Sequence, residues 1–223
     1  MTDGVLIALE GIDGAGVTTQ AERLEQRLAD RLADAAGRDG SRTHRTKEPT
    51  DGPAGAPIRM ALAERLDLDP VTLALLFAAD RRDHVEQEIR PLLAEGYVVV
   101  TDRYHLSSYA YQLDGVDGDL DWLREINARN RDPDLTVLLD LDVEASHRRR
   151  QRDRVAAELF ESRETLERVR QNYHEVAAEL REEGQQVAVV DAARPVGDVA
   201  DEVFDHATDL LREAGLTAAP DGE

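Results

Sequence analysis

Residues 5–19 read VLIALEGIDGAGVTT. A short apolar run gives way to glycines at 11, 14 and 16, and the segment that follows carries Leu24, Leu28 and Leu32 at helical spacing. Strand, glycine turn, helix is the unit from which a parallel α/β sheet is wound. The alternation continues down the chain. THRTKEP reads as a short second strand ending at Pro49, and DPVTLALLFAADRRDHVEQEI as a helix with Asp69 as N-cap and Pro70 in its first turn. A further amphipathic segment runs to Gly96, and YVVVTD (97–102) is a buried strand. Next come a helix-rich stretch over 105–130, the apolar strand LTVLLDLD (135–142), two helices filling 143–183, the strand QVAVVDA (186–192) and the closing helix VGDVADEVFDHATDLLREA. The expected fold is α/β, a five-stranded parallel sheet flanked by helices on both faces. Ligands in such sheets bind at the strand C-termini, where Gly11 to Thr19, Lys47, Glu48, Asp102, Arg103 and Asp140 all fall.

With 223 residues, 41% of them hydrophobic, one sizeable core is expected, and no linker divides it. One domain over 1–216 with a frayed tail at 217–223 is the resulting expectation. No apolar run approaches a membrane span and the N-terminus lacks a basic leader, so a cytoplasmic protein without a membrane partner is expected. The absence of cysteine excludes disulfides and thiolate catalysis, and the six histidines show no metal-ligand spacing. A net charge of -20 argues against a nucleic-acid polymer as partner. Lys47 is the single lysine among 27 basic residues, and 47 acidic residues are dispersed along the chain. That balance suits a protein working at high salt, although an acidic protein from a GC-rich genome has the same composition.

The glycine turn is close to the phosphate-loop pattern G-x-x-x-x-G-K-[ST]. Gly11 and Gly16 bracket four residues and Thr18 supplies the hydroxyl, but Val17 stands where the lysine belongs. Gly11, Gly14, Ala15, Gly16 and Val17 can still turn backbone amides around an anion at a helix N-terminus, with Thr19 adding a hydroxyl. Thr18 and Asp102 have the chemistry to hold Mg²⁺, and Arg103 that to pair with a phosphate.

The ordered set EGIDGAG, KEP, LLFAADRRDHVEQEIRPLLAEG, TDRYHLSSYAYQ, PDLTVLLDLD and LERVRQNYHEVA covers roughly residues 5–205 and resembles thymidylate kinases, P-loop NTPases of the monophosphate-kinase type. The resemblance implies phosphoryl transfer from ATP to dTMP with Mg²⁺, in a homodimer. It places Glu10 and Asp13 at the nucleotide site, with Asp13 among the catalytic groups. Lys47, in place of the family's arginine, and Glu48 belong to the dTMP site. Phe77 would stack on thymine and Arg81 would bond its edge, four residues on along the same helix face. Arg103 would bind the acceptor phosphate, Ser107 and Ser108 would sit beside the base, and Tyr111 and Gln112 would close over sugar and base, with the Tyr111 ring favouring deoxynucleotides. A lid over about 146–162 carries Arg148, Arg149, Arg150, Arg152 and Arg154. The expectation is that Arg149, Arg152 or Arg154 takes over part of the lysine's role when the lid closes. Two alternatives stay open: a catalytically impaired nucleotide-binding paralogue, favoured by Val17 alone, and a kinase for another pyrimidine deoxynucleotide.

Overall fold

A computed structural model describes residues 3–36, 42–152 and 162–216. Its strands are β1 (Val5–Glu10), β2 (Thr43–Lys47), β3 (Val98–Asp102), β4 (Leu135–Asp140) and β5 (Val187–Asp191). They form one sheet in the order β2-β3-β1-β4-β5, and every neighbouring pair is parallel. Both faces of the central strands are covered. Val5, Ile7 and Leu9 enter the main core with Val98, Val100, Val137 and Leu139, while Leu6, Ala8 and Val99 pack in a second cluster with Val85, Ile89, Leu93 and Tyr104. That two-sided burial explains the unbroken apolar runs. β2 departs from it: THRTK is polar and only part-buried because it is the edge strand.

The helices are α1 (Val17–Ala36), α2 (Gly55–Leu62), α3 (Pro70–His84), α4 (Arg90–Ala94), α5 (His105–Gln112), α6 (Leu120–Asn127), α7 (Val143–Arg152), α8 (Arg163–Glu182) and α9 (Val196–Glu213). Asp69 caps α3 as expected, its carboxylate accepting from the Thr72 amide at 2.9 Å. Two features have no counterpart in the sequence reading. α2 is a short helix containing Pro57, and a π-helical turn (Val85–Ile89) joins α3 to α4. The π turn precedes Pro91, which cannot donate to the carbonyl four residues back and crowds it, so the helix widens there.

β1 lies between β3 and β4, and the chain leaves β1 towards β2 but leaves β3 towards β4. The C-terminal ends of β1 and β3 therefore meet at the switch point where such sheets bind ligands. Leu9 is in register with Asp102, and Lys47 is level with Asp102 from the other side.

Candidate active site

The glycine loop leaves β1 at Gly11 and re-enters helix at Val17. Gly11 has φ 155°, and a Cβ there would stand 2.7 Å from the Leu139 carbonyl oxygen. At Gly14 (φ 82°) a Cβ would meet the Ser146 carbonyl at 3.1 Å, because α7 comes down onto the loop. Ser146 donates to the Asp13 carbonyl at 2.6 Å, and Arg149 donates to the Gly14 carbonyl at 3.4 Å and to the Ala192 carbonyl at 2.7 Å. The base of the lid is thus tied to the loop backbone. Val17 starts α1 and points inward, 5% exposed in the main core, whereas Thr18 and Thr19 are exposed.

Thr18 Oγ1 donates to Asp102 Oδ2 at 2.5 Å, bringing together the two groups read as metal ligands. A hydroxyl and a carboxylate beside a phosphate loop fit Mg²⁺, which takes hard oxygen donors and leaves further positions to water and substrate phosphates. No group of three or more His, Asp or Glu side chains suited to a metal occurs among the described residues.

Arg103 follows β3 with φ 69°, a left-handed backbone held by its amide on the Leu9 carbonyl at 2.9 Å. Its guanidinium reaches the Asp13 carboxylate, the Gly11 carbonyl at 3.0 Å, Ser107 Oγ at 3.2 Å and Tyr173 Oη at 3.4 Å. Tyr173, on α8, is fully buried and also contacts Ser107 Oγ at 2.8 Å and the Gly11 carbonyl at 3.1 Å. Ser107 donates to Glu10, whose other carboxylate oxygen accepts from the Tyr104 amide at 3.0 Å. Burial pushes the Glu10 carboxyl up to about 7, against the lowering pull of Ser107 and Arg103. Tyr111 accepts from the Asp13 amide at 3.2 Å, and its ring lies 5.4 Å from the Arg103 guanidinium.

A second arginine centre lies one turn beyond Phe77 on α3. Arg81 is 1% exposed; Nε donates to Glu48 at 2.9 Å, Nη1 to Asn127 Oδ1 at 2.7 Å, and Nη2 to the Tyr104 carbonyl and Ser108 Oγ, both at 2.9 Å. Burial alone would raise the Glu48 pKa, but Arg81 and His84 outweigh it and hold the carboxyl below its ordinary value. Phe77 is part-buried and belongs to neither core cluster. Gln112, one turn after Ser108 on α5, is 7% exposed, and its Oε1 is buried without a hydrogen-bond partner among the described residues.

The sequence-derived residues are therefore gathered, with three qualifications. Ser107 and Ser108 spend their hydroxyls on Glu10, Arg103 and Arg81. Lys47 stands half-exposed at the rim, 3.4 Å from Asp51. Arg154 lies outside the described residues, as do the tail 217–223, the lid segment 153–161 and the side chains of Arg150 and Arg152. Tyr173, Asn127 and Ser146 were missed. Each is a polar group on the buried face of an amphipathic helix, which signals a required partner without naming it.

A glycine loop at the first strand, a hydroxyl and carboxylate at its lip and arginines at the next strand end, all on a 2-3-1-4-5 parallel sheet, define a P-loop kinase of the monophosphate-kinase type. A family model described as thymidylate kinase matches residues 9–203. A protein of Methanoculleus marisnigri named "Probable thymidylate kinase" is 42% identical over 201 residues, covering 88% of this chain and 90% of its own. The "Thymidylate kinase" of Leifsonia xyli subsp. xyli is 41% identical over 206 residues, 90% and 92% of the two chains. A "Probable thymidylate kinase" of Pyrobaculum calidifontis is 40% identical over 201 residues, 89% and 93%. The chain belongs to the thymidylate kinase family.

Proposed function

We propose that the protein transfers the terminal phosphoryl group of ATP to dTMP, giving ADP and dTDP, in the cytoplasm and at high salt. The observation that carries this reading is that α5 ties the two arginine centres together: Ser107 accepts from Arg103, which also holds the Gly11 carbonyl of the glycine loop, and the adjacent Ser108 accepts from Arg81. Backbone amides of Gly11, Gly14, Gly16 and Val17, with the Thr19 hydroxyl, hold the ATP phosphates at the α1 N-terminus, while the Ala15 amide closes the loop on the Ile12 carbonyl at 3.0 Å. Thr18 and Asp102 hold the Mg²⁺, which neutralises phosphate charge when bound. Arg103 and Lys47 position the dTMP phosphate, one of whose oxygens attacks the γ-phosphorus in line as the bond to the ADP oxygen breaks. Phe77 stacks on the base and Tyr111 covers the sugar.

The base edge is read by complementarity. A guanidinium has five N–H groups, and Arg81 commits four to described residues, which leaves one donor on Nη1. Gln112 Oε1 supplies one buried open acceptor. A donor beside an acceptor suits the C=O and N–H of an imide, as in thymine or uracil, and not the amino group and bare ring nitrogen of cytosine. A coupled assay of ADP formation with ATP and Mg²⁺ in concentrated KCl should show turnover with dTMP and little with dCMP. No ADP formation with dTMP would sink the proposal.

The same reading includes a homodimer. Met60 and Leu62 on α2 and Val71 and Leu75 on α3 are exposed large hydrophobics on two helices that pack together. Such clustering is costly on a free surface. Sedimentation in the same buffer is expected to give twice the mass of one chain, and a single-chain mass at micromolar concentration would exclude the dimer.

A further inference from the structure

We infer that Asn127, at the end of α6, is a positioning residue that aims the one base-reading N–H of Arg81 and so sets discrimination between thymine and cytosine. The inference rests on the proposed role of Arg81. Asn127 is 2% exposed. Its Nδ2 donates to the Leu123 carbonyl at 2.8 Å, which turns Oδ1 toward the donors Arg81 Nη1 at 2.7 Å and Asn130 Nδ2 at 3.4 Å. The opposite amide orientation would set donor against donor, so the network fixes the assignment.

The argument turns on which nitrogen each neighbour holds. Glu48 takes Nε and its Oε2 also lies 2.7 Å from Nη2, which donates to the Tyr104 carbonyl and Ser108. Asn127 alone among the described residues hydrogen-bonds Nη1, the nitrogen that also bears the uncommitted N–H. Because the guanidinium is planar, fixing one Nη1 hydrogen fixes the direction of the other. A single aimed N–H donates to a 4-carbonyl and repels a 4-amino group. Without Asn127 the plane loses its Nη1 anchor and can pivot on the Glu48, Tyr104 and Ser108 contacts, which swings the uncommitted N–H off the line on which it rejects an amino group.

The test compares wild type with Asn127→Ala, Asn127→Leu and Asn127→Asp, each measured with dTMP and dCMP by steady-state kinetics and by calorimetric binding. Removing the oxygen is expected to raise KM for dTMP about tenfold, more than it lowers kcat, and to shrink the dTMP over dCMP preference by a similar factor, the loss typical of one hydrogen bond to a charged group. Asn127→Asp keeps an oxygen for Nη1 and should keep most of the preference, and Asn127→Leu preserves volume should the alanine variant fail to fold. Wild-type preference in Ala and Leu variants overturns the inference, as does an equal loss with both substrates accompanied by a lower Tm, the mark of a structural role. A wild type that binds dTMP and dCMP equally would instead defeat the reading of Arg81 and the inference with it.

Discussion

Replacing Val17 with lysine is expected to raise kcat about 10²-fold at saturating ATP and dTMP. Phosphoryl transfer is mainly positioning and charge stabilisation, and one preorganised donor aimed at developing charge is worth about 10²- to 10³-fold. Valine offers no donor, and its side chain is turned into the main core at the start of α1. The loop retains its amides, so a lysine would add charge to a cradle already formed. The lower end of the range is expected because lid arginines supply part of that charge in the proposed mechanism. Among the described lid side chains, Arg149 touches the loop, at the Gly14 carbonyl. The lost valine burial should cost about 1–2 kcal/mol and lower Tm modestly. Equal rates for wild type and Val17→Lys would mean that the charge has been fully replaced. Alanine variants of Arg149, Arg152 and Arg154 would then locate it, since equal small losses in all three leave no dedicated substitute.

Glu10→Gln is expected to stabilise the protein at alkaline pH and to have little effect in acid. Most carboxylates in folded proteins are held low and stabilise above their unfolded pKa. Glu10 is the reverse: burial lifts it from 4.5 to about 7. Its favourable contribution is complete below 4.5, where it is protonated in both states, and is lost as pH rises toward 7, because only the unfolded chain ionises freely. The shift corresponds to about 3 kcal/mol, and glutamine cannot ionise. Urea unfolding of both proteins should therefore show a stability difference that grows by about 3 kcal/mol between about pH 4.5 and about pH 8. A difference independent of pH would show that Glu10 is ionised in the folded protein throughout.

Much of this architecture is legible in the sequence, for reasons that are local. Four strands stand out as apolar runs, three of them because they are buried on both faces, and Asp69 with Pro70 marks a helix start by chemistry confined to one turn. The π turn is set by the conflict between Pro91 and the turn before it, and helical periodicity barely changes across it. The site shows the same division. Spacing puts Phe77 and Arg81 on one helix face, but no spacing reveals that Arg81 is held by Glu48, Asn127, Tyr104 and Ser108, from three other parts of the chain. The serines of the SSYAYQ segment were legible as site residues, yet their actual partners are the two arginines and Glu10, because long-range packing decides which way a short hydroxyl turns.

The left-handed backbone at Arg103 sets stability against the site at one position. A side chain in that conformation costs about 1–3 kcal/mol, and glycine would relieve the strain. Arg103→Gly would relieve that strain but forfeit the guanidinium's bonds to Asp13, the Gly11 carbonyl and Ser107, so the strained backbone and the site's charge are held at one residue.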